Sequence, residues 1–295
     1  MRVIVTSIIL SFFLLPFGIV NSQTEIDNLD DKIIQLSPIL YAIKEFPSIM
    51  LVCIGNDGVL LSDAFHESKQ ELLKAALHKL GNDDVSIIIN THWHDDHTWG
   101  NITYGKDAVV IAHSKVKEYL STDQELPEDK YPAFPAFALP DILCDDKMTI
   151  HFNGETIIYF PVTGGHTDSD VAVYFQNANV LHIGDLIFSK IFPYIDQTHG
   201  GSIDGLIKNL EMIINKFPED VLIVPGHVDI CTMNDLQNIL KMVTDTRKVI
   251  KQEVISSKTL DEIIAAKALD KFKHWAGPPV SVNYWITALY NHITN

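Results

Sequence analysis

Cysteine is scarce in this chain: 295 residues contain only Cys53, Cys144 and Cys231. Three thiols allow one disulfide and a spare, so a small disulfide-stapled scaffold is excluded. Cys53 sits inside the apolar run Ile49–Ile54 and reads as a small buried hydrophobe. Positive charge is also short. Lys and Arg number 22 against 38 Asp and Glu, giving a net charge of −16, and no basic cluster stands out. Affinity for nucleic acid comes largely from Lys and Arg neutralising phosphates, so a nucleic-acid partner is disfavoured. Long apolar runs are absent beyond Val3–Val20, and there is no short-period repeat or low-complexity tract.

That one apolar run follows Met1-Arg2 and leads to Val20-Asn21-Ser22 ahead of Gln23. The pattern predicts a cleaved secretory signal over residues 1–22. A membrane anchor is the competing reading, because eighteen largely apolar residues reach the lower limit of a span. Pro16, Gly18 and the small residue at the cut favour cleavage. The mature protein, residues 23–295, is then expected to be a single domain, periplasmic or secreted, with no stable membrane association.

What the chain has is histidine in a telling place. Thr91-His92-Trp93-His94-Asp95-Asp96-His97 follows the apolar run Val85–Ile89, which reads as a buried strand. Three imidazoles and a carboxylate packed so tightly at a strand end are costly as core but natural as ligands for a divalent ion. Three later segments each add one candidate ligand: His166 after Gly164-Gly165, Asp185 after Gly184, and His227 after Pro225-Gly226. Asp185 also admits a simpler reading as a turn residue.

Elements alternate in two similar halves. Strands are predicted over Ile39–Ile43, Ile49–Ile54, Val59–Leu61, Val85–Ile89 and Ala108–Ile111, with helices over His66–Leu80 and Ser114–Leu120. Leu126–Pro140, with four prolines, is expected to hold no regular element and to act as loop or connection. The second half offers strands Met148–Phe152, Thr156–Phe160, Val171–Phe175, Val180–Ile183 and Val221–Val224, with an Asn153-Gly154 hairpin turn. Helices follow over Ser202–Phe217, Asn234–Ile255 and Leu260–Lys273. Two such halves imply an α/β fold of two packed sheets flanked by helices.

These residues resemble the metallo-β-lactamase-fold hydrolases. The HxHxDH signature stands as His92-Trp93-His94-Asp95-Asp96-His97, with His166, Asp185 and His227 in family order. The resemblance runs from about Leu36 to Arg247, with helices beyond it. It implies a four-layer αββα sandwich and two zinc ions per chain. His92, His94 and His166 would hold one ion and Asp96, His97 and His227 the other, with Asp185 joining them. A metal-bound hydroxide would then attack a carbonyl, with Asp96 orienting the nucleophile and taking up its proton. Asp63 reads as a buried structural partner for the histidine loop, and His151, His182 and His199 as non-ligands, although His199 could line the pocket. Asp95 and Asp168 read as supporting or solvated.

The implied substrate is a small molecule with an ester, lactone or amide bond. Lactamase activity proper is the alternative. Lactamases with a cysteine ligand place it where Asp185 stands, and Lys190 is offset from their carboxylate-anchoring lysine. The histidine-rich lactamases usually carry Ser there. An iron-dependent oxidoreductase is disfavoured because no flavin-binding extension accompanies the motif, and a non-catalytic metal-binding protein because the ligand set is complete. Phe134, Phe137, Phe192 and Tyr194 are expected to give the pocket apolar character.

Overall fold

The computed structural model describes residues 28–126 and 129–294; the predicted signal segment lies outside them. A seven-stranded sheet contains β1 (Ile33–Gln35), β2 (Leu40–Glu45), β3 (Ser48–Gly55), β4 (Gly58–Ser62), β5 (Val85–Ile89) and β6 (Val109–Ala112). After a separate hairpin, β7 (Gln124–Leu126) and β8 (Asp129–Tyr131), the strand β9 (Ile142–Leu143) completes its edge. The second sheet runs in chain order through β10 (Met148–Phe152), β11 (Glu155–Pro161), β12 (Val171–Phe175), β13 (Val180–His182) and β14 (Leu222–Val224).

The period of two in β3 explains the layering. Ile49, Leu51 and Cys53 face the second sheet and meet Tyr159, Val173 and Phe175. Met50, Val52 and Ile54 face outward, toward Leu73 and Leu77 of helix Gln70–Leu80. A strand covered on both faces has no polar side to show, so β3 reads as a continuous apolar run. The outer face of the second sheet, through Leu181 and Ile223, is covered by helices Ile203–Lys216 and Met233–Ile255, and helix Val282–Thr294 packs on Met233–Ile255. The order is helix, sheet, sheet, helix, as the sequence pattern implied.

Two local expectations need correction, and one helix lies beyond those predicted. The predicted helix Leu260–Lys273 stops at Ala265 and resumes as a 3₁₀ segment, Asp270–Trp275. Lys267 takes a left-handed conformation (φ 51°), and Ala268 N–H reaches back to the Ile263 carbonyl at 3.3 Å, which terminates the helix. The stretch Leu126–Pro140 is not wholly irregular, because β8 forms between Pro127 and Pro132, where every residue keeps its backbone donor. Helix Val282–Thr294 was not foreseen; its apolar residues are buried on a neighbouring helix rather than on a sheet.

Parallel pairing places the site. β4 and β5 pair in parallel, as do β13 and β14. Their C-terminal ends lead into Asp63, into Thr91–His97, into Asp185 and into His227. Loops leaving the carboxyl ends of parallel strands are the usual ligand edge of such sheets.

Candidate metal centre

The structure brings all seven predicted ligands to one edge of the two sheets. His92 Nε2 and His166 Nε2 lie 3.1 and 3.0 Å from His94 Nδ1. Asp185 Oδ2 completes this group, 4.0 Å from His92 and 3.9 Å from His166. The second group is Asp96, His97 and His227. Asp96 Oδ2 lies 3.5 Å from His97 Nε2 and 3.2 Å from His227 Nε2. Within each group the donor atoms all lie within 4.8 Å of one another. Tetrahedral ligands at zinc bond lengths stand about 3.4 Å apart, so this spacing suits an ion at each centre. Asp185 belongs to both groups, since Oδ2 is also 3.0 Å from His227 Nε2 and Oδ1 is 3.3 Å from His97 Nε2.

The backbone is shaped to allow this convergence. Gly184 adopts φ 49°, and a Cβ there would fall 2.4 Å from Thr91 Oγ1. A Cβ on Gly226 would fall 2.1 Å from Asp185 Oδ1 and 2.6 Å from His97 Cε1. Only glycine lets these two loops pass so close to the ligands.

Four of the five imidazoles are held at their outer nitrogen. His97 Nδ1 faces Asp63 Oδ2 at 2.8 Å, and Asp63 also accepts from Thr91 N–H and Oγ1 at 2.7 and 2.8 Å. The expected structural role of Asp63 is therefore what the geometry shows. His166 Nδ1 contacts the Tyr194 carbonyl at 2.9 Å, and His92 Nδ1 the Thr91 hydroxyl at 3.1 Å. His94 Nε2 lies 3.1 Å from Asp196 Oδ2, which also takes His199 Nδ1 at 2.7 Å. Such partners fix which nitrogen faces inward and how the ring is turned. Asp196 escaped the sequence reading. The only trace of it was an acidic residue three places before His199-Gly200-Gly201, outside the signature.

Electrostatics divide the two groups. Burial holds His92 well below the ordinary histidine range, and pushes His166 down to about 4, so both stay neutral. Burial also opposes charge on His227, but Asp185 and Asp96 outweigh it and lift the group to about 10. His97 is raised in the same way by Asp96, Asp185 and Asp63. Asp185 is held well below the carboxylate range; burial works against its charge, and His227 and His97 overcome it. Its buried Oδ1 makes no well-formed hydrogen bond, its nearest donor being His97 Nε2 at 3.3 Å. A buried carboxylate oxygen in that condition is costly unless a cation meets it. The nitrogen and oxygen donors and this orphaned atom fit a pair of divalent ions.

Other expectations sort clearly. His182 is no member of either group: Nδ1 meets Ser62 Oγ at 2.7 Å beneath the site. His199 is buried against Trp93 rather than lining the cleft, and Trp93 itself packs with Ala112 and Val116. Asp95 lines the cleft and lies 3.3 Å from His66 Nε2, whereas Asp168 accepts from the Tyr119 hydroxyl. Among the described residues the three cysteines are unpaired. A cleft of about 540 Å³ opens over His94, Asp96, Asp185 and His227. Tyr194 lines it, but Phe192 does not: that ring is fully buried and stacked on Trp285. Phe134 packs under the histidine loop, and Phe137 is half-exposed away from the cleft.

Residues 43–227 match the family model described as the metallo-beta-lactamase superfamily. The chain belongs to that superfamily. This superfamily member is a hydrolase by family, with a candidate metal site formed by its own His and Asp residues. It is 21% identical over 262 residues to the metallo-beta-lactamase type 2 of Bacteroides fragilis, covering 85% of this chain and 98% of the other. A probable metallo-hydrolase of Methanocaldococcus jannaschii is 28% identical over 193 residues, 63% of this chain and 89% of that one. In fold it resembles a metallo-beta-lactamase from Pontibacter korlensis, with TM-score 0.58, 20% identity, and coverage of 72% of this chain and 98% of that. It also resembles a sec-alkylsulfatase from Pseudomonas sp., with TM-score 0.64 and 14% identity, over 88% of this chain and 49% of that.

Proposed function

We propose that this superfamily member is an exported two-zinc hydrolase that cleaves an ester, lactone or amide-type bond in a small molecule. The observation that carries the reading is Asp185, whose carboxylate stands between His92, His94 and His166 on one side and Asp96, His97 and His227 on the other. Two divalent ions held there would supply Lewis acidity, polarising a carbonyl oxygen and lowering the pKa of water at the site to about 7.

The chain's own groups do the rest. Asp96 is the one carboxylate of the set that is part-exposed, and it lines the cleft. Burial works against its charge, but His97 and His227 keep it ionised. It is therefore placed to orient a water and take up its proton at a carboxylate oxygen. His94, turned by Asp196, and His166, turned by the Tyr194 carbonyl, each present one ring nitrogen inward.

Export rests on the apolar segment Val3–Val20, and no helix among the described residues is long and apolar enough to cross a membrane. A β-lactam substrate is the second reading, favoured by the lactamases among its relatives. The test is hydrolysis by the zinc-loaded protein of a chromogenic β-lactam beside panels of esters and lactones. Turnover of esters or lactones alone supports the general hydrolase, turnover of the β-lactam supports the second reading, and turnover of none contradicts both.

A further inference from the structure

The cleft has two walls of different origin. One arises within the family-matched segment, from Phe46, Phe188 and Tyr194. The other comes from beyond it: Pro278, Pro279 and Tyr284, at the entry to helix Val282–Thr294. Tyr284 stacks on Tyr194 with ring centroids 5.5 Å apart and 22° between planes. Its hydroxyl donates to the Ile195 carbonyl at 3.3 Å. Gly277 N–H closes the turn on the Val280 carbonyl at 3.1 Å, and Phe192 N–H bonds the Trp275 carbonyl at 2.7 Å. The outer wall is thus fixed to the loop that holds His94 and His166.

No described Lys or Arg lines this cleft. Lys44 and Lys190, whose sequence neighbourhoods border it, both pair with Asp229, at 2.9 and 2.6 Å. Lys32 and Lys69 both pair with Glu45, next to Phe46. The one fixed charge that lines the cleft beside the ligand set is a carboxylate, Asp95, with His66 Nε2 3.3 Å away. Yet Phe46 stands 73% exposed at the mouth. A ring at the rim of a cleft lined by Phe188, Tyr194, Pro278, Pro279 and Tyr284 extends the apolar area a ligand could cover.

We propose that Gly277–Tyr284 is the specificity wall of this protein, and that it selects substrates with an uncharged apolar arm beside the scissile bond. The proposal rests on the hydrolase reading and names its substrate class: neutral, apolar esters or lactones. Water adds to the carbonyl carbon and the bond to the alkoxy oxygen breaks. The products are a carboxylate, a proton and an alcohol, the two groups remaining on one molecule for a lactone. The arm binds by leaving water against Tyr284, Pro278 and Pro279. A carboxylate at the far end of that arm, away from the ligand set, would lose its hydration with no lysine or arginine of the cleft lining to meet it.

The test is calorimetric binding of non-hydrolysable N-alkyl pyrrolidinones, and of their ω-carboxylate congeners, to the zinc-loaded mature protein. The dissociation constant should fall roughly 2- to 4-fold per methylene in the wild type, and a terminal carboxylate should raise it at least about 10-fold. Tyr284→Ala should flatten the chain-length slope. Because Tyr284 also braces Ile195, Phe46→Lys at an exposed position gives a second reading: it should relieve the carboxylate penalty. Equal or tighter binding of the carboxylated series by the wild type overturns the proposal, as does an unchanged slope in Tyr284→Ala. The expected slope without turnover of any ester, lactone or amide keeps the wall and overturns the hydrolase reading. Turnover with a flat slope overturns the wall alone.

Discussion

Asp196 Oδ2 stands 3.1 Å from Nε2 of His94, and the Nδ1 of that same ring faces His92 and His166. A carboxylate on the loop after β13 thereby sets the orientation of a candidate ligand on the loop after β5. The pairing ties together two halves of the chain that share no continuous element.

Asp196→Asn should therefore weaken the first ion's binding about 10- to 100-fold, measured by competition with a chromophoric chelator. If Asp196 served structure alone, the melting temperature would fall and the dissociation constant would hold.

Asp63 supports the second group in the same way. Asp63→Ala leaves Thr91 N–H, Thr91 Oγ1 and His97 Nδ1 buried without their acceptor. The loss should reach about 3 kcal/mol or more in urea unfolding of the metal-free protein. A change below about 1 kcal/mol would show that the loop finds other acceptors.

Acidity should act oppositely on the two groups. His227 is raised to about 10, so its protonated form stabilises the metal-free fold fully below about 6.5, and this contribution is lost as pH climbs toward 10. His166 is depressed to about 4, so its neutral form favours the fold above about 6.5, and that advantage is lost as pH falls toward 4. An ion at the second group must displace protons from His97 and His227, so its affinity should rise with pH by up to about tenfold per unit for each proton displaced. Calorimetry in buffers of different ionisation enthalpy counts the protons released; a count of zero at pH 7 would refute this assignment.

Trp285 is fully buried, stacked on Phe192 and donating to Thr246 Oγ1 at 3.0 Å. Trp285→Ala should cost about 3–5 kcal/mol. It should also loosen the 192–199 segment, which bonds the final helix through Gln197 to the Ala288 carbonyl. Hydrogen exchange should then quicken at Tyr194–His199 as well as in the helix; quickening confined to the helix would separate the two.

Much of this centre was legible in the sequence because metal ligation restricts both residue type and spacing. His92, His94, Asp96 and His97 stand in one short run after an apolar strand, and glycine marks the approach of His166, Asp185 and His227. The sheets were legible for a related reason: burial on both faces writes long apolar runs such as Ile49–Ile54. Asp196 was not, since an orienting carboxylate needs only to be near in space. Phe192 was misread because an aromatic in a loop has the same letter whether it faces a cleft or a core. The Tyr284 wall depended on how a distant helix docks, which no local pattern records.

The most direct test of the two-ion centre is metal content by mass spectrometry of the purified mature chain beside His166→Ala and His227→Ala. Two zinc ions per chain in the wild type and about one in each variant is the predicted result. Iron in place of zinc, a single ion in the wild type, or variants that keep both ions would contradict it.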